Sequence, residues 1–304
     1  GQWVPSSISL SEDFARLIGY YLSKGCSSAQ RVLFSFGYHE KELIEDLISI
    51  LNKFNIKFST NVGWWEDHKS SFTIKISSRI FFEYFKQNCG DNCYSKRIPQ
   101  YLFFASPIIK DNFLRGVFSG DGSRKGSNMG NYYTISYASL NKELIEGLDL
   151  LLREKGILAG RKVVLNKKSK VPCFCLLISE TQAIERLLPI LPEFWQKRIQ
   201  ISAKHIKSPA YQMIDKNLAI LKIKKIEVLR KPQRVYSLET KNGYFLTTGG
   251  ILTHNCLPKD IRAFIQFADS LGVDLKLHKV AEEINNQLMK EQGIEDPEKI
   301  SKRE

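Results

Sequence analysis

Three consecutive residues late in the chain, His254-Asn255-Cys256, bring together the groups needed to cut a peptide chain and to capture an acyl group. The side-chain amide of Asn255 can attack its own backbone carbonyl, close a succinimide and release the chain before Cys256. His254 can polarise that carbonyl or protonate the leaving group near neutral pH. Cys256 offers a thiol nucleophile that can accept an acyl chain first. A second set of reactive groups lies far upstream, where two helix-like segments end in Ser23-Lys24-Gly25 and Gly120-Asp121-Gly122. Acids placed side by side at two such helix ends can bind Mg²⁺ and direct phosphodiester hydrolysis. Asp121 supplies one. Lys24 stands where the other would be, and an ammonium cannot ligate a metal.

The elements that must position these groups can be read from periodicity. Lys41-Glu42-Leu43-Ile44-Glu45-Asp46-Leu47 recurs as Lys142-Glu143-Leu144-Ile145-Glu146-Gly147-Leu148, and both copies open an amphipathic helix. Alternating strand residues precede each copy (32–36 and 133–137), and a second strand follows each (72–77 and 174–179). Further helices are predicted near 79–87 and 181–189. Each copy is headed by one of the two special segments, Phe14 to Gly25 and Phe113 to Ser123, whose Gly19 and Gly116 would let two helices approach closely. The order helix, strands, helix, strands, helix therefore occurs twice, which predicts an α+β unit built twice with pseudo-twofold symmetry. Beyond it, residues 235–240 and 244–246 predict two short strands around an Asn242-Gly243 turn.

At 304 residues and 43% apolar content, the chain can hold two domains with real cores. It has no apolar run near the membrane-spanning length, so no membrane partner is expected, and no signal pattern is visible. The net charge is +13; residues 257–304 hold 8 Lys and Arg against 10 Asp and Glu, which leaves +15 on residues 1–256. Such an excess points to a polyanion partner, most simply nucleic acid. The six cysteines form no zinc-like spacing, and a reducing cytoplasm fits them best. Cys173 and Cys175 alternate with Phe174, which suggests buried structural thiols.

The two special segments resemble the paired dodecapeptide motifs of LAGLIDADG homing endonucleases of the DOD type, the kind nested inside inteins. The resemblance covers about residues 10 to 195, and the second motif is the stronger match. It implies a monomeric domain that straddles double-stranded DNA with two antiparallel sheets, with Mg²⁺ as cofactor if the nuclease is active. Asp121 would be the metal-binding acid. Lys96, in Lys96-Arg97-Ile98-Pro99, matches the family's linker block, which implies an active-site lysine. Lys57, Lys75, Arg79, Arg161, Lys162 and Lys167 are the candidate contacts to DNA. The family carries Asp or Glu at the position of Lys24, and this departure implies impaired double-strand cleavage.

The segment ending in His254-Asn255-Cys256 resembles the last block of a Hint splicing domain, although Ser237 and Gly243 stand where such blocks often carry Asp and His. Residues 1–5 do not resemble a splicing N-terminus, which implies the C-terminal portion of a longer precursor, without the N-terminal intein half. Cys256-Leu257-Pro258-Lys259-Asp260, with Glu282-Glu283-Ile284-Asn285 further on, resembles UDP-glucose and related nucleotide-sugar dehydrogenases. There Cys256 would form the thioester and Asp260 would position water, so residues 256–304 would begin a C-extein. No dinucleotide-binding glycine pattern accompanies them. The expected organisation is a first repeat over 1–95, linker and second repeat over 96–217, a Hint segment over 218–255 and the extein from 256. Three functions stay open: a splicing element with a weakened nuclease, an active Mg²⁺-dependent site-specific endonuclease, and a DNA-binding or maturase-like module with a relic junction.

Overall fold

The computed structural model describes residues 7–126, 133–165, 171–199, 211–213, 219–221, 223, 225, 240, 243–247, 251–254 and 257–291. The chain divides into two compact units, Gly1–Ile226 and Glu227–Glu304.

In the first unit one motif is built twice, as an α+β arrangement with antiparallel sheets. Its first copy runs α1 (Glu12–Lys24), β1 (Gly25–Ser28), β2 (Arg31–Gly37), α2 (Lys41–Lys53), β3 (Ser59–Trp65), β4 (His68–Ile76) and α3 (Arg79–Cys89). The second runs α4 (Pro107–Asp121), β5 (Ser123–Gly126), β6 (Tyr133–Ser139), α5 (Lys142–Glu154), β7 (Gly160–Leu165), β8 (Pro172–Ile178) and α6 (Thr181–Leu187), followed by α7 (Glu193–Arg198). The sheets have matching strand orders, β1-β2-β4-β3 and β5-β6-β8-β7.

Local chemistry sets the helix starts. The Ser11 hydroxyl accepts from the Phe14 amide at 3.3 Å to begin α1, Pro107 occupies the first turn of α4, and the Asn141 side chain accepts from the Glu143 amide at 2.7 Å to begin α5. Helix α2 has no such cap, because the Glu40 carboxylate turns back to accept from the Gly37 amide at 2.6 Å. The apolar side of each sheet packs into a shared core with the helices: Val32, Phe34, Ile74 and Ile76 in the first, Ile135, Tyr137, Leu176 and Ile178 in the second.

The two copies meet along α1 and α4. A methyl group added at Gly19 would lie 2.3 Å from the Phe113 carbonyl oxygen, and one at Gly116 would lie 2.3 Å from that of Arg16. Only glycine permits backbones this close. At the far end of the pair, Arg16 donates to Asn112 at 3.0 Å and to Asp13 at 2.7 Å, while Tyr20 donates to Asp46 at 2.8 Å. The buried apolar surface and these polar contacts hold the two helices together.

The expectation of buried thiols at Cys173 and Cys175 is corrected: both are only half-buried. Strand parity is the reason. Leu176 and Ile178 take the core face of β8, which leaves Cys173 and Cys175 on the opposite, open face. Among the described cysteines the buried one is Cys89, at the end of α3, whose thiol pKa is pushed upward by burial.

Short paired strands β9 (Tyr211–Met213) and β10 (Ala219–Leu221) complete the described part of the first unit. In the second unit, β11 (Tyr244–Leu246) pairs antiparallel with β12 (Leu252–His254), and two helices follow, α8 (Leu257–Ser270) and α9 (Lys276–Glu291). The expected strand over 235–240 lies, apart from Thr240, outside the described residues. Gly272, at φ +74°, follows the end of α8, where the left-handed backbone suits glycine. Among the described residues no helix is long and apolar enough to cross a membrane.

Candidate nucleic-acid interface and helix-end centre

Lys24 and Asp121 are the last residues of α1 and α4, so the close crossing of those helices brings them together. Ser23 ties the ends: its hydroxyl lies 3.1 Å from the Gly19 carbonyl and 3.3 Å from that of Gly116 on the other helix. Gly120 makes room for the lysine, since a methyl group there would strike the Ser23 side chain and come within 3.1 Å of the Lys24 stem. The Lys24 ammonium then sits 3.6 Å from the Asp121 carboxylate and 3.2 Å from that of Glu40. Lys96 lies beneath, only 8% exposed, with its ammonium 3.5 Å from the Ser23 carbonyl.

The centre thus contains two carboxylates and two ammonium groups. Partial burial raises the Asp121 pKa, and the positive charges of Lys24 and Lys96 pull it back down. Burial lowers the Lys96 pKa, opposed chiefly by the Asp121 charge. A divalent cation does not fit between Asp121 and Glu40 while the Lys24 ammonium holds that space: both carboxylates already face a cation, and adding a metal would set like charges together. Among the described residues no group of three or more His, Cys, Asp or Glu is arranged to hold a metal ion.

The structure brings Lys24, Asp121 and Lys96, three residues singled out from sequence, into one place. Glu40 was missed. Its one local signal is an acid directly before the first heptapeptide, and its neighbour in space becomes visible only once β2 has folded back past the end of α1.

The open faces of the two sheets form the second feature. The eight strands β1 to β8 contain seven Lys and Arg and no Asp or Glu. Lys75 lies on the open face of β4, opposite Leu33 and Ser59, and Lys162 lies on the open face of β7, opposite Cys175. Lys125 on β5, opposite Thr134, joins them on the open side and was not picked out from sequence. Lys57 is exposed just before β3, and Arg79 is exposed at the start of α3, off the sheet.

Arg161, expected to contact DNA, is engaged inside the chain. It pairs with Leu176 on the core-facing side of β7, and its guanidinium is bonded to the fully buried Asp149, with Nε donating at 2.9 Å. Arg153 donates to the same carboxylate oxygen at 3.0 Å. Desolvating Asp149 demands these partners, so Arg161 serves the fold.

In the second unit, the His254 backbone closes β12 opposite Tyr244. Asn255, Cys256 and Lys167 lie outside the described residues, and the side chains of His254 and Asp260 are likewise not described.

Residues 109–192 match the model of the LAGLIDADG-like domain. An uncharacterized protein of Methanocaldococcus jannaschii is 35% identical over 301 residues, which is 94% of this chain and 33% of that protein. The DNA polymerase II large subunit of Thermococcus kodakarensis is 27% identical over 271 residues, covering 79% of this chain and 14% of the subunit. The chain therefore spans a third or less of the length of these relatives. Among solved structures, mesophilic variants of the homing endonuclease I-DmoI align with a TM-score of 0.41 at 14% identity, over 60% of this chain and 96% of that one. The matched segment runs from within α4 to the residue before α7.

Proposed function

We propose that the two repeats form a double-stranded DNA-binding domain of the homing-endonuclease type whose cleavage centre is silenced by Lys24. One observation carries the binding: two matching antiparallel sheets whose strands hold, Arg161 aside, six cations and no acid. Phosphate contacts of that kind need no metal and give salt-dependent affinity. Silencing rests on the Lys24 ammonium between Glu40 and Asp121, where Mg²⁺ would otherwise be held. Lys57, Lys75, Lys125 and Lys162 are the phosphate contacts of this reading.

The domain belongs, in the same proposal, to an inserted splicing element. Related segments occupy a third of one relative and a seventh of another, as expected of a module lodged in different hosts. His254, Asn255 and Cys256 then form the junction, with 218–255 as the Hint segment and Cys256 opening the extein.

The test is incubation with Mg²⁺ and a duplex encoding the uninterrupted host sequence around the Cys256 codon, comparing the chain with Lys24→Glu. The chain is expected to retard the duplex in a gel and leave it whole, and Lys24→Glu to cut it. Cutting by the unaltered chain establishes the active endonuclease instead; failure to bind removes the DNA reading. For the junction, mass spectrometry is expected to detect release of the segment after Asn255 when an N-terminal splicing half is added in trans, and Asn255→Ala to abolish it.

A further inference from the structure

The hairpin of β3 and β4 carries two adjacent tryptophans, and strand parity puts them on opposite sides. Along β3 the positions of Ser59, Asn61, Gly63 and Trp65 fall on the open face, where Ser59 stands opposite Lys75. Thr60, Val62 and Trp64 fall on the other side, with Ile74 and Phe72. The register shift beyond Gly63 adds its extra residue, Ser70, to β4, so the alternation of β3 runs unbroken to Trp65. Trp64 already has a use within the chain. The Lys69 ammonium lies 5.5 Å from its ring and 5.2 Å from that of Tyr38, and donates to the Tyr38 hydroxyl at 3.3 Å. Trp65 is 72% exposed, and among the described residues no ring or cation is stacked on it. An indole left bare in this way marks a contact with something outside the chain.

Its surroundings select the partner. Ser35, Ser59, Asn61, Ser71 and Thr73 stand on the open face of the first sheet, small side chains able to exchange hydrogen bonds with base edges. Lys75 lies at one end of this row and Trp65 at the other, about 20 Å apart along the strands. Glu66 and Asp67 form the turn next to Trp65, so this end repels phosphate and offers a duplex an apolar surface instead. The second sheet has no counterpart: among the described residues its open face presents Lys125, Lys162, Val164, Cys173 and Cys175, and no aromatic ring.

We propose that Trp65 is an apolar base contact at one end of the DNA site, its indole packed against the C5 methyl groups of thymines under the first repeat. Such a contact carries no charge, so it adds sequence preference and leaves the salt dependence to the lysines. With the ring at one end only, a pseudo-symmetric domain distinguishes the two orientations of its duplex. This inference rests on the DNA-binding reading above.

The experiment measures the affinity of the full chain, Trp65→Ala and Trp64→Ala for the duplex encoding the host sequence around the Cys256 codon, over a range of salt. The duplex is prepared once with thymine and once with deoxyuridine, which lacks the methyl group. Thermal unfolding confirms that each variant is folded, and Trp65→Gln replaces Trp65→Ala if the latter is not. Trp65→Ala is expected to bind the thymine duplex about tenfold more weakly with an unchanged slope against salt. Deoxyuridine is expected to weaken the unaltered chain by a similar factor and Trp65→Ala by much less. Trp64→Ala is expected to bind as the unaltered chain does. Failure of the unaltered chain to bind removes the DNA reading and this contact with it. Equal binding by Trp65→Ala and the unaltered chain overturns the contact and leaves the DNA reading intact. An equal loss on deoxyuridine in those two proteins also overturns it, because another residue then meets the methyl groups. Equal losses from Trp64→Ala and Trp65→Ala overturn it as well, because the hairpin as a whole is then what matters.

Discussion

The ends of α1 and α4 have the same backbone and opposite chemistry. Each helix stops just before a strand, each has a glycine at the crossing, and each places its last side chain in the same small space. One ends in an ammonium and the other in a carboxylate. The duplicated fold is fixed by glycines and apolar parity, which need both copies to agree. The chemistry is fixed by single residues, which need not. A repeat can therefore carry a different residue at its helix end while every feature that holds the helices together remains.

The largest expected effect comes from breaking the shared part. Gly19→Ala forces a methyl group to within 2.3 Å of a backbone oxygen that no rotamer can move. A loss of about 3 kcal/mol is expected after allowing for alanine's better helix propensity. Gly147→Ala, in the middle of α5, is the control, because its methyl group meets only the tips of Ile98 and Phe103 at 3.0 and 3.2 Å. Urea unfolding should show a lowered midpoint for the first and a midpoint close to the unaltered one for the second. Equal losses would mean that the crossing is less rigid than its contacts imply.

A second difference between the repeats sharpens the comparison. The helix position occupied by half-buried Ile48 in α2 is occupied by buried Asp149 in α5. The second repeat therefore needs Arg153 and Arg161, where the first needs only packing. Arg161→Ala is expected to cost roughly 2 kcal/mol, less than a fully buried pair, because its side chain is 36% exposed and Arg153 remains. It should leave the salt dependence of DNA binding unchanged. Lys162→Ala, one residue away on the open face, should do the reverse, with stability kept and the slope against salt lowered by about one. An altered slope for Arg161→Ala would return that residue to the DNA face.

These two neighbours show where sequence was informative. The repeated heptapeptide and the alternating strands made the α+β duplication legible, because period and parity are local properties. The meeting of Lys24 with Asp121 was legible once the two glycine-bearing helices were paired. What was not legible depends on which face a strand turns inward: Arg161 and Lys162 are alike in type, and Cys173 and Cys175 looked like core residues until Leu176 and Ile178 took the core side. Glu40 was hidden for a different reason, since its partner lies across a return of the chain and its counterpart Asn141 does another job.

The smallest effect tests the balance inside the helix-end centre. Lys96 is buried, and its pKa is lowered from the usual 10.5 mainly by desolvation, with the Asp121 charge opposing. A base whose folded pKa is lowered contributes stability that is present above the unfolded pKa and lost as pH falls through the folded one. At neutral pH the charged Lys96 therefore costs stability, and the buried charge outweighs its attraction to Asp121. Lys96→Met keeps the stem and removes the charge, so it is expected to stabilise the chain by about 1 kcal/mol at pH 7. The gain should shrink as pH approaches 10.5, where the unfolded lysine also becomes neutral. Unfolding midpoints of the two proteins, compared at pH 7 and near that value, isolate this residue because every other titrating group is common to both. A loss at pH 7 would instead show that Asp121 depends on Lys96 as well as Lys24, and that the centre is held by two cations where the end of α1 supplies only one.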